Sequence, residues 1–552
     1  MPLFAARWST SGNVAASSFD RQPKEIRKVT PPQSSSSPNV AWILGQPGFP
    51  AAARDSHVAL LWEGHELSYG DLRSRAQQLA TGLRELGLSE GDRVASMLYN
   101  RGEVFELYFA CAYAGLTFVP INFRMAPSEL AAILTDCQAK VLFTSKEIEG
   151  TCAAAMHSMP ASPRTVVLED EDPGREYGNL LGTPIEQSRH TAVQLILYTS
   201  GTTGSPKGVP FTHSGVLWNA FEESALCRID DRTRMLITAP LYNTAGINEF
   251  SIPTLFSGGT VAIMPSRGWS ADRMSDHIHK WQIDHCLIFP SMMAPMLEAD
   301  DRAKLPIGRL RHVLTGGENC PPRLLADFQK RWPAVNVIVG YGSTECGLVS
   351  AIEGEEIGRR PGSVGRVVPG HRVEIRGADG KPVTMGEIGE VWVASPAAIN
   401  GYWEAPELSA DVIRDGWVRS GDLARVDLEG FLYIEGRTKD LVISKGQNIY
   451  PAEVENALMR IDDIIDAAVI GLPDEEYGEA VCAVVVLDRT SRLTEQDILD
   501  QLRGEIASYK RPRRVLFRDQ LPRNATQKVL KTELRRDCIA QLPLAKEGLE
   551  SR

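Results

Sequence analysis

From about residue 57 the chain alternates short apolar runs with amphipathic segments, and this alternation constrains the fold more than any other feature. "SYGDLRSRAQQLATGLRELGL" reads as a helix that Ser68 caps and Gly87 ends. "DRVASMLY" reads as a strand, "EVFELYFACAYAGLTFVPI" as a helix leading into a strand, and "PSELAAILTDCQAKVLFTS" repeats the unit. "RMLITAP", "TVAIMP", "HCLIFP", "RHVLTGG" and "VNVIVGYG" continue as strands, each ending in a loop. Such alternation calls for parallel sheets covered by helices, an α/β fold. Ligands of these sheets gather at the carboxyl ends of strands, which singles out "GGEN" and "GYGSTECG".

From about 363 the texture changes to short strands and turns, "SVGRVVPGHRVEIRGADGKPVTMGEIGEVWVAS", a small β-rich subdomain. After "GRTKDLVISKGQNIYPAEVENALMRI" the pattern is strand, helix, strand, helix, strand and a basic helix from about 529. That makes a compact α+β domain of roughly 110 residues. The expected organisation is a disordered leader over 1–48, an N-terminal domain over 49–438, a C-terminal domain over 439–545 and a tail over 546–552.

A chain of 552 residues is too long for one core. With 59 Lys and Arg against 70 Asp and Glu it carries no electrostatic footprint for nucleic acid, so anionic substrates must be drawn by local donors. The 9 cysteines are scattered without a C-x-x-C pair, which fits a reducing compartment rather than a disulfide or metal framework. No apolar run approaches the length of a transmembrane segment. The serine-rich start has no apolar h-region, so a cytoplasmic protein is expected. The mitochondrial matrix is the alternative if the leader is a transit peptide.

"YTSGTTGSPKG", residues 198–208, packs three glycines and six hydroxyl side chains between an apolar strand (Leu195, Ile196, Leu197) and a helix expected from Ser214. Backbone N–H groups of such a turn can converge on phosphate oxygens. It is not a P-loop, because that pattern needs glycine directly before lysine and here Pro206 precedes Lys207. A flexible hydroxyl-rich turn is the alternative for this stretch alone.

"YTSGTTGSPKG", "GYGSTECG", "SGDLARVDLEGFLYIEGRTKD", "SKGQNIYPAEVE" and "RNATQKVLKTELR" occur in that order. With them the sequence resembles the adenylate-forming superfamily of acyl-CoA synthetases, aryl-CoA ligases, adenylation domains and firefly-type luciferases, from about residue 50 to 545. The resemblance implies a large N-terminal domain that binds ATP and acid, and a small mobile C-terminal domain. Its substrates would be a carboxylic acid, ATP and CoA, with Mg2+; nucleic acid is not expected, and a homodimer is left open.

The resemblance also assigns residues. Thr199, Ser200, Gly201, Thr202, Thr203, Gly204 and Lys207 would clamp the β- and γ-phosphates. Thr344 would contact the α-phosphate, and Glu345, with Thr202, would hold Mg2+. Tyr341 would stack on adenine in a pocket lined by Gly317, Glu318, Gly342 and Ser343. Asp422 would accept the ribose hydroxyls, and Arg437 would make a second ribose or phosphate contact. Lys528 would enter the site for adenylation alone. Lys439 would be the hinge about which the C-terminal domain turns, bringing Lys445 and Gly446 to the pantetheine channel. Tyr242, Asn243, Gly246, Met292, Gly316, Gly340 and Leu348 would line the acid pocket, which is mainly apolar and suits a fatty or aromatic acid. A carboxylate is already ionised, so the chemistry needs no general base; it needs donors and cations where anion meets anion.

Two positions depart from the family pattern. Gln527 stands where glycine commonly precedes the last-motif lysine, and Asn243 stands where histidine is common in "PL[FY]H". "PLYNTAGINEF" lacks the aspartate with which amino-acid-loading members hold an α-ammonium, although Glu249 leaves a more distant amine open. Loading of a carrier protein, or activation of another oxyanion such as nitrite, is the alternative to CoA ligation.

Overall fold

A computed structural model describes residues 37–169, 174–185, 187–199, 206–318, 320–445, 447–474, 476–523 and 529–541. Among them, one sheet runs in spatial order Arg164–Leu168, Val141–Ser145, Arg93–Met97, Thr117–Pro120, Leu195–Thr199 and Lys207–Phe211. All neighbours are parallel except the last pair, which brackets the glycine-rich loop. Helix Glu103–Ala114, apolar on nearly every face, is buried along its whole length, as its composition demands. Helix Tyr69–Glu85 begins where Ser68 accepts the Asp71 N–H and stops before Gly87, at φ 87°, as the sequence pattern predicts. Helix His213–Leu226 starts one residue earlier than expected, because the Thr212 hydroxyl caps it through the Gly215 N–H.

The second sheet carries the parallel strands Val58–Trp62, Thr260–Ile263, Arg234–Ile237, His285–Leu287, His312–Gly316 and Asn336–Ser343 side by side. It then turns antiparallel through Gly347–Glu353, Ser363–Val367, Leu432–Arg437, Trp417–Val426, Gly389–Ala394 and Arg372–Arg376. Tyr341 and Gly342 stay in the strand, as "VNVIVGYG" predicts, Ser343 extends it, and the hairpin turns only at Thr344–Cys346. The β-rich subdomain after 363 is continuous with this sheet, since Ser363–Val367 pairs with strands on both sides and carries it onward. Gly365 permits this crossing, because a Cβ there would sit 1.8 Å from the Ala351 carbonyl oxygen.

A third sheet, in the C-terminal region, orders Gln447–Ile449, Val442–Ser444, Gly478–Leu487 and Ile464–Asp474, with Arg514–Phe517 parallel to Gly478–Leu487. Alternate residues of Gly478–Leu487 feed two cores. Val481, Ala483 and Val485 pack with Val454, Leu458 and Ile498, whereas Cys482, Val484 and Val486 pack with Leu534 and Cys538.

The expected leader needs correction over residues 38–48. Val40, Ile43 and Leu44 are fully buried, and Asn39 Nδ2 donates to the carbonyls of Ala112 (3.2 Å) and Arg189 (2.9 Å). An Asn side chain that finds two buried carbonyls, together with the apolar "VAWIL" run, is enough to dock the segment. Residues 1–36 and the tail at 546–552 lie outside the described residues. No helix among the described residues is long and apolar enough to cross a membrane.

Candidate active site

The hairpin strands Trp417–Val426 and Leu432–Arg437 place Asp422 directly opposite Arg437. Arg437 Nε lies 3.1 Å from Asp422 Oδ1, and the Tyr341 hydroxyl donates to Asp422 Oδ2 at 2.8 Å. Burial, then the Asp422 charge, pushes the Tyr341 phenol well above its ordinary range, so it remains a donor. Three expected nucleotide residues thus form one bonded array around a nearly buried carboxylate, 6% exposed. Both Asp422 oxygens are held in place and keep lone pairs for further donors.

The turn after Ser343 carries Thr344 and Glu345. Glu345 Oε1 accepts from the Tyr402 hydroxyl at 3.0 Å, and its carbonyl accepts from the Ile399 N–H at 2.9 Å. Lys207 Nζ stands 5.8 Å from the Tyr402 ring centre, and the Trp403 N–H donates to the Gly208 carbonyl at 2.8 Å. Tyr402 therefore ties the exit of the glycine-rich loop to Glu345. Burial and the Glu345 charge raise its phenol far above the usual tyrosine range. The loop's other end is fixed by Thr199, which pairs with Lys207 across the strands. Ser200, Gly201, Thr202, Thr203 and Gly204 lie outside the described residues, as do Gly446 and Lys528.

Lys439 occupies the short turn Thr438–Asp440 that follows Arg437. Burial is the main reason its ammonium pKa falls below the ordinary lysine range. Asp440 offsets this in part, and the charges of Arg437 and Lys207 push the same way as burial. Glu318, expected beside adenine, accepts from the Ser291 N–H at 2.8 Å and pairs with Arg523 at 3.2 Å. Arg523 also reaches Asp466 at 2.7 Å, so Glu318 is one point at which the C-terminal region docks. Arg523 and Val529, which flank the segment containing Lys528, pair with each other. Lys445 is held within the C-terminal region, 2.6 Å from Glu476 and 3.9 Å over the Tyr477 ring, rather than beside Asp422.

On the acid side, Gly316 and Gly340 face each other in neighbouring strands. A Cβ on Gly316 would stand 2.3 Å from the Gly340 oxygen, and one on Gly340 would stand 2.7 Å from Leu348 Cδ1, so the strands and Leu348 approach too closely here for a side chain at either position. Asn243 begins a wide turn in which its carbonyl accepts from the Gly246 and Ile247 N–H groups, both at 3.1 Å. Tyr242 is buried edge-on against Phe123, with ring centres 5.4 Å apart, and Met292 packs against two core clusters. Tyr402 and Arg523 escaped the sequence reading. Nothing near them in the chain marks their partners, which lie 57 and 205 residues away.

Comparison with known proteins agrees with this geometry. Residues 50–403 match the model of the AMP-binding enzyme family, and residues 453–528 match that of the AMP-binding enzyme C-terminal domain. The chain is 35% identical to the indoleacetate–CoA ligase of Aromatoleum aromaticum over 494 residues, covering 88% of this chain and 96% of that protein. It is 36% identical to a feruloyl-CoA synthase of an Amycolatopsis species over 480 residues, covering 86% and 94%. The ATP-bound crystal structure of MatB from Rhodopseudomonas palustris superposes with a TM-score of 0.82 at 29% identity, covering 91% of this chain and 99% of that one. With both domain models matched and the motif residues assembled around Asp422 and Glu345, the chain belongs to the AMP-binding enzyme family, within the adenylate-forming superfamily of acid–CoA ligases.

Proposed function

We propose that this chain activates a carboxylic acid with ATP, releasing pyrophosphate, and then passes the acyl group from the adenylate to CoA. The observation that carries this reading is Asp422 held between Tyr341 and Arg437, beside the linked Lys207–Tyr402–Glu345 group. The first array offers acceptors and a cation to a ribose and its phosphate. The second gathers charge where the phosphate chain would leave the glycine-rich loop. Glu345, a hard carboxylate tethered through one oxygen, suits Mg2+, which takes one or two carboxylates together with phosphate oxygens. Bound by Glu345 and the Thr202 hydroxyl, the ion would offset phosphate charge as pyrophosphate departs.

In the first half-reaction the acid carboxylate attacks the α-phosphorus, with Thr344 and Lys528 donating to the phosphate oxygens. The C-terminal domain, residues 439–545, then turns at Lys439, withdrawing Lys528 and presenting Lys445 and Gly446 to the thiol. The acid is hydrophobic near its carboxylate, aromatic or fatty, as the apolar Leu348 and Tyr242 expected to line its pocket would suit and as the aryl-acid ligases it resembles suggest. Pyrophosphate release across a panel of acids, with and without CoA, tests the reading. Acid-dependent release and a CoA thioester are expected; no release with any acid would overturn it.

A further inference from the structure

Behind Asn243, helix His213–Leu226 packs on the turn Ala245–Glu249. Asn219 Nδ2 donates to the Asn248 carbonyl at 3.2 Å, and Asn219 Oδ1 lies 3.1 Å from where a Gly347 side chain would begin. Gly347 adjoins Leu348, so this face of the helix stands behind the wall of the acid pocket. The next turn of the helix brings in Glu222 and Glu223. Glu222 spends one oxygen on His371 Nδ1, 3.1 Å away, and His371 Nε2 in turn lies 3.2 Å from the Cys346 carbonyl.

Glu223 is different. It is fully buried; the Asn219 amide lies near it but donates to the Asn248 carbonyl, and neither Glu223 oxygen accepts a well-formed hydrogen bond among the described residues. The same holds for Glu222 Oε2, Asn248 Oδ1 and the Tyr242 hydroxyl. Glu249 adds a second carboxyl, near enough for its charge to act on Glu223 and raised to about 7 by burial, with the Thr244 hydroxyl offsetting part of the rise. Burial, then the Glu249 charge, lifts Glu223 further, and the Asn219 amide offsets part of that. No group of three or more His, Cys, Asp or Glu among the described residues could hold a metal ion. No cation is among the groups acting on either carboxyl, and a primary amine supplies up to three N–H groups and a positive charge that would keep them ionised.

We propose that the far end of the acid pocket, between Glu223 and Glu249, binds a primary amino group, so that the substrate is a carboxylic acid carrying an amine remote from its carboxylate. The inference rests on the acid-activation reading and specifies its substrate class. A remote amine is compatible with the missing aspartate near Asn243, since that aspartate would hold an amine next to the carboxylate.

The test compares kcat/KM for pyrophosphate release, using the full chain, between matched acids. Suitable pairs are phenylacetate and para-aminophenylacetate, hexanoate and ω-aminohexanoate, and phenylpropanoate and its para-aminomethyl derivative. In at least one pair the amine-bearing acid is expected to be favoured by about tenfold or more, since a site built for a hydrogen-bonding group rejects the analogue lacking it. Glu249→Gln and Glu223→Gln are each expected to bring that ratio down toward one, and the ratio cancels any general loss of activity. Preference for the plain acid in every pair overturns the inference while leaving acid activation standing, as does a ratio that neither variant changes. If no acid of either kind supports release, acid activation fails and the inference fails with it. Should a variant not fold, the wild-type ratio decides alone.

Discussion

Asp422 and Glu223 are both buried carboxyl groups, and their surroundings are opposite. Asp422 is bonded by Tyr341 and Arg437, and its own N–H donates to the Ser420 hydroxyl at 3.0 Å. Glu223 has neighbours of its own sign, offset in part by the Asn219 amide, and no well-formed hydrogen bond among the described residues. In a low-dielectric interior a satisfied polar network becomes rigid, while an unsatisfied one is costly until something completes it. The nucleotide side is therefore assembled before ATP arrives. On the proposed reading, the far end of the acid pocket is left for the substrate to complete. The comparison teaches that the part of the substrate shared across a family meets preformed geometry, whereas the variable part meets groups free to choose.

Substitutions can break this contrast. The largest effect is expected for Lys528→Ala, which removes a cation from the charge that develops during adenylation. Acyl-adenylate formation should fall by about a hundred- to a thousandfold. Thioester formation from preformed adenylate should be nearly unchanged, and equal loss in both, measured as separate half-reactions, would end the two-conformation account. Asp422→Asn comes next. Bonds to a charged group carry about 1.5–3 kcal/mol, so KM for ATP should rise by roughly ten- to a hundredfold with little change in KM for the acid. A matching rise in KM for the acid would show that the two sides are not independent.

Tyr402→Phe sharpens the picture within the nucleotide side. It deletes the hydroxyl bonded to Glu345 at 3.0 Å but keeps the ring near Lys207. About a tenfold loss in kcat is expected, together with a higher Mg2+ requirement in a metal titration. An unchanged Mg2+ dependence would separate Glu345 from the metal. Asn243→His should be the mildest, a change of about threefold to tenfold that differs between apolar and polar-substituted acids. Imidazole introduces a group that titrates near neutral pH where asparagine cannot. The same factor across every acid would show that position 243 does not select.

Much of this protein was legible along the chain because the relevant physics is local. Strand and helix periods predict the parallel sheets, Ser68 and Gly87 mark one helix at both ends, and the ordered motifs lead to the family. Legibility stopped where partners are remote. The pairing of Asp422 with Arg437 depends on hairpin register, and Tyr402 meets Glu345 only because residues 402–403 return to the strand Lys207–Phe211. Residues 38–48 read as leader because a short apolar run is ambiguous until a surface exists to bury it. Glu249 is visible in "INEF" as a carboxylate that could reach a remote amine, but Glu223 would pass for an ordinary surface charge in "FEESAL". The sequence by itself determined the fold class, which follows from local propensity and periodicity, and, through the resemblance of its ordered motifs, the family. Which carboxyl groups are satisfied and which await a donor was decided only by tertiary structure, because burial and hydrogen-bond partnership belong to the packed chain.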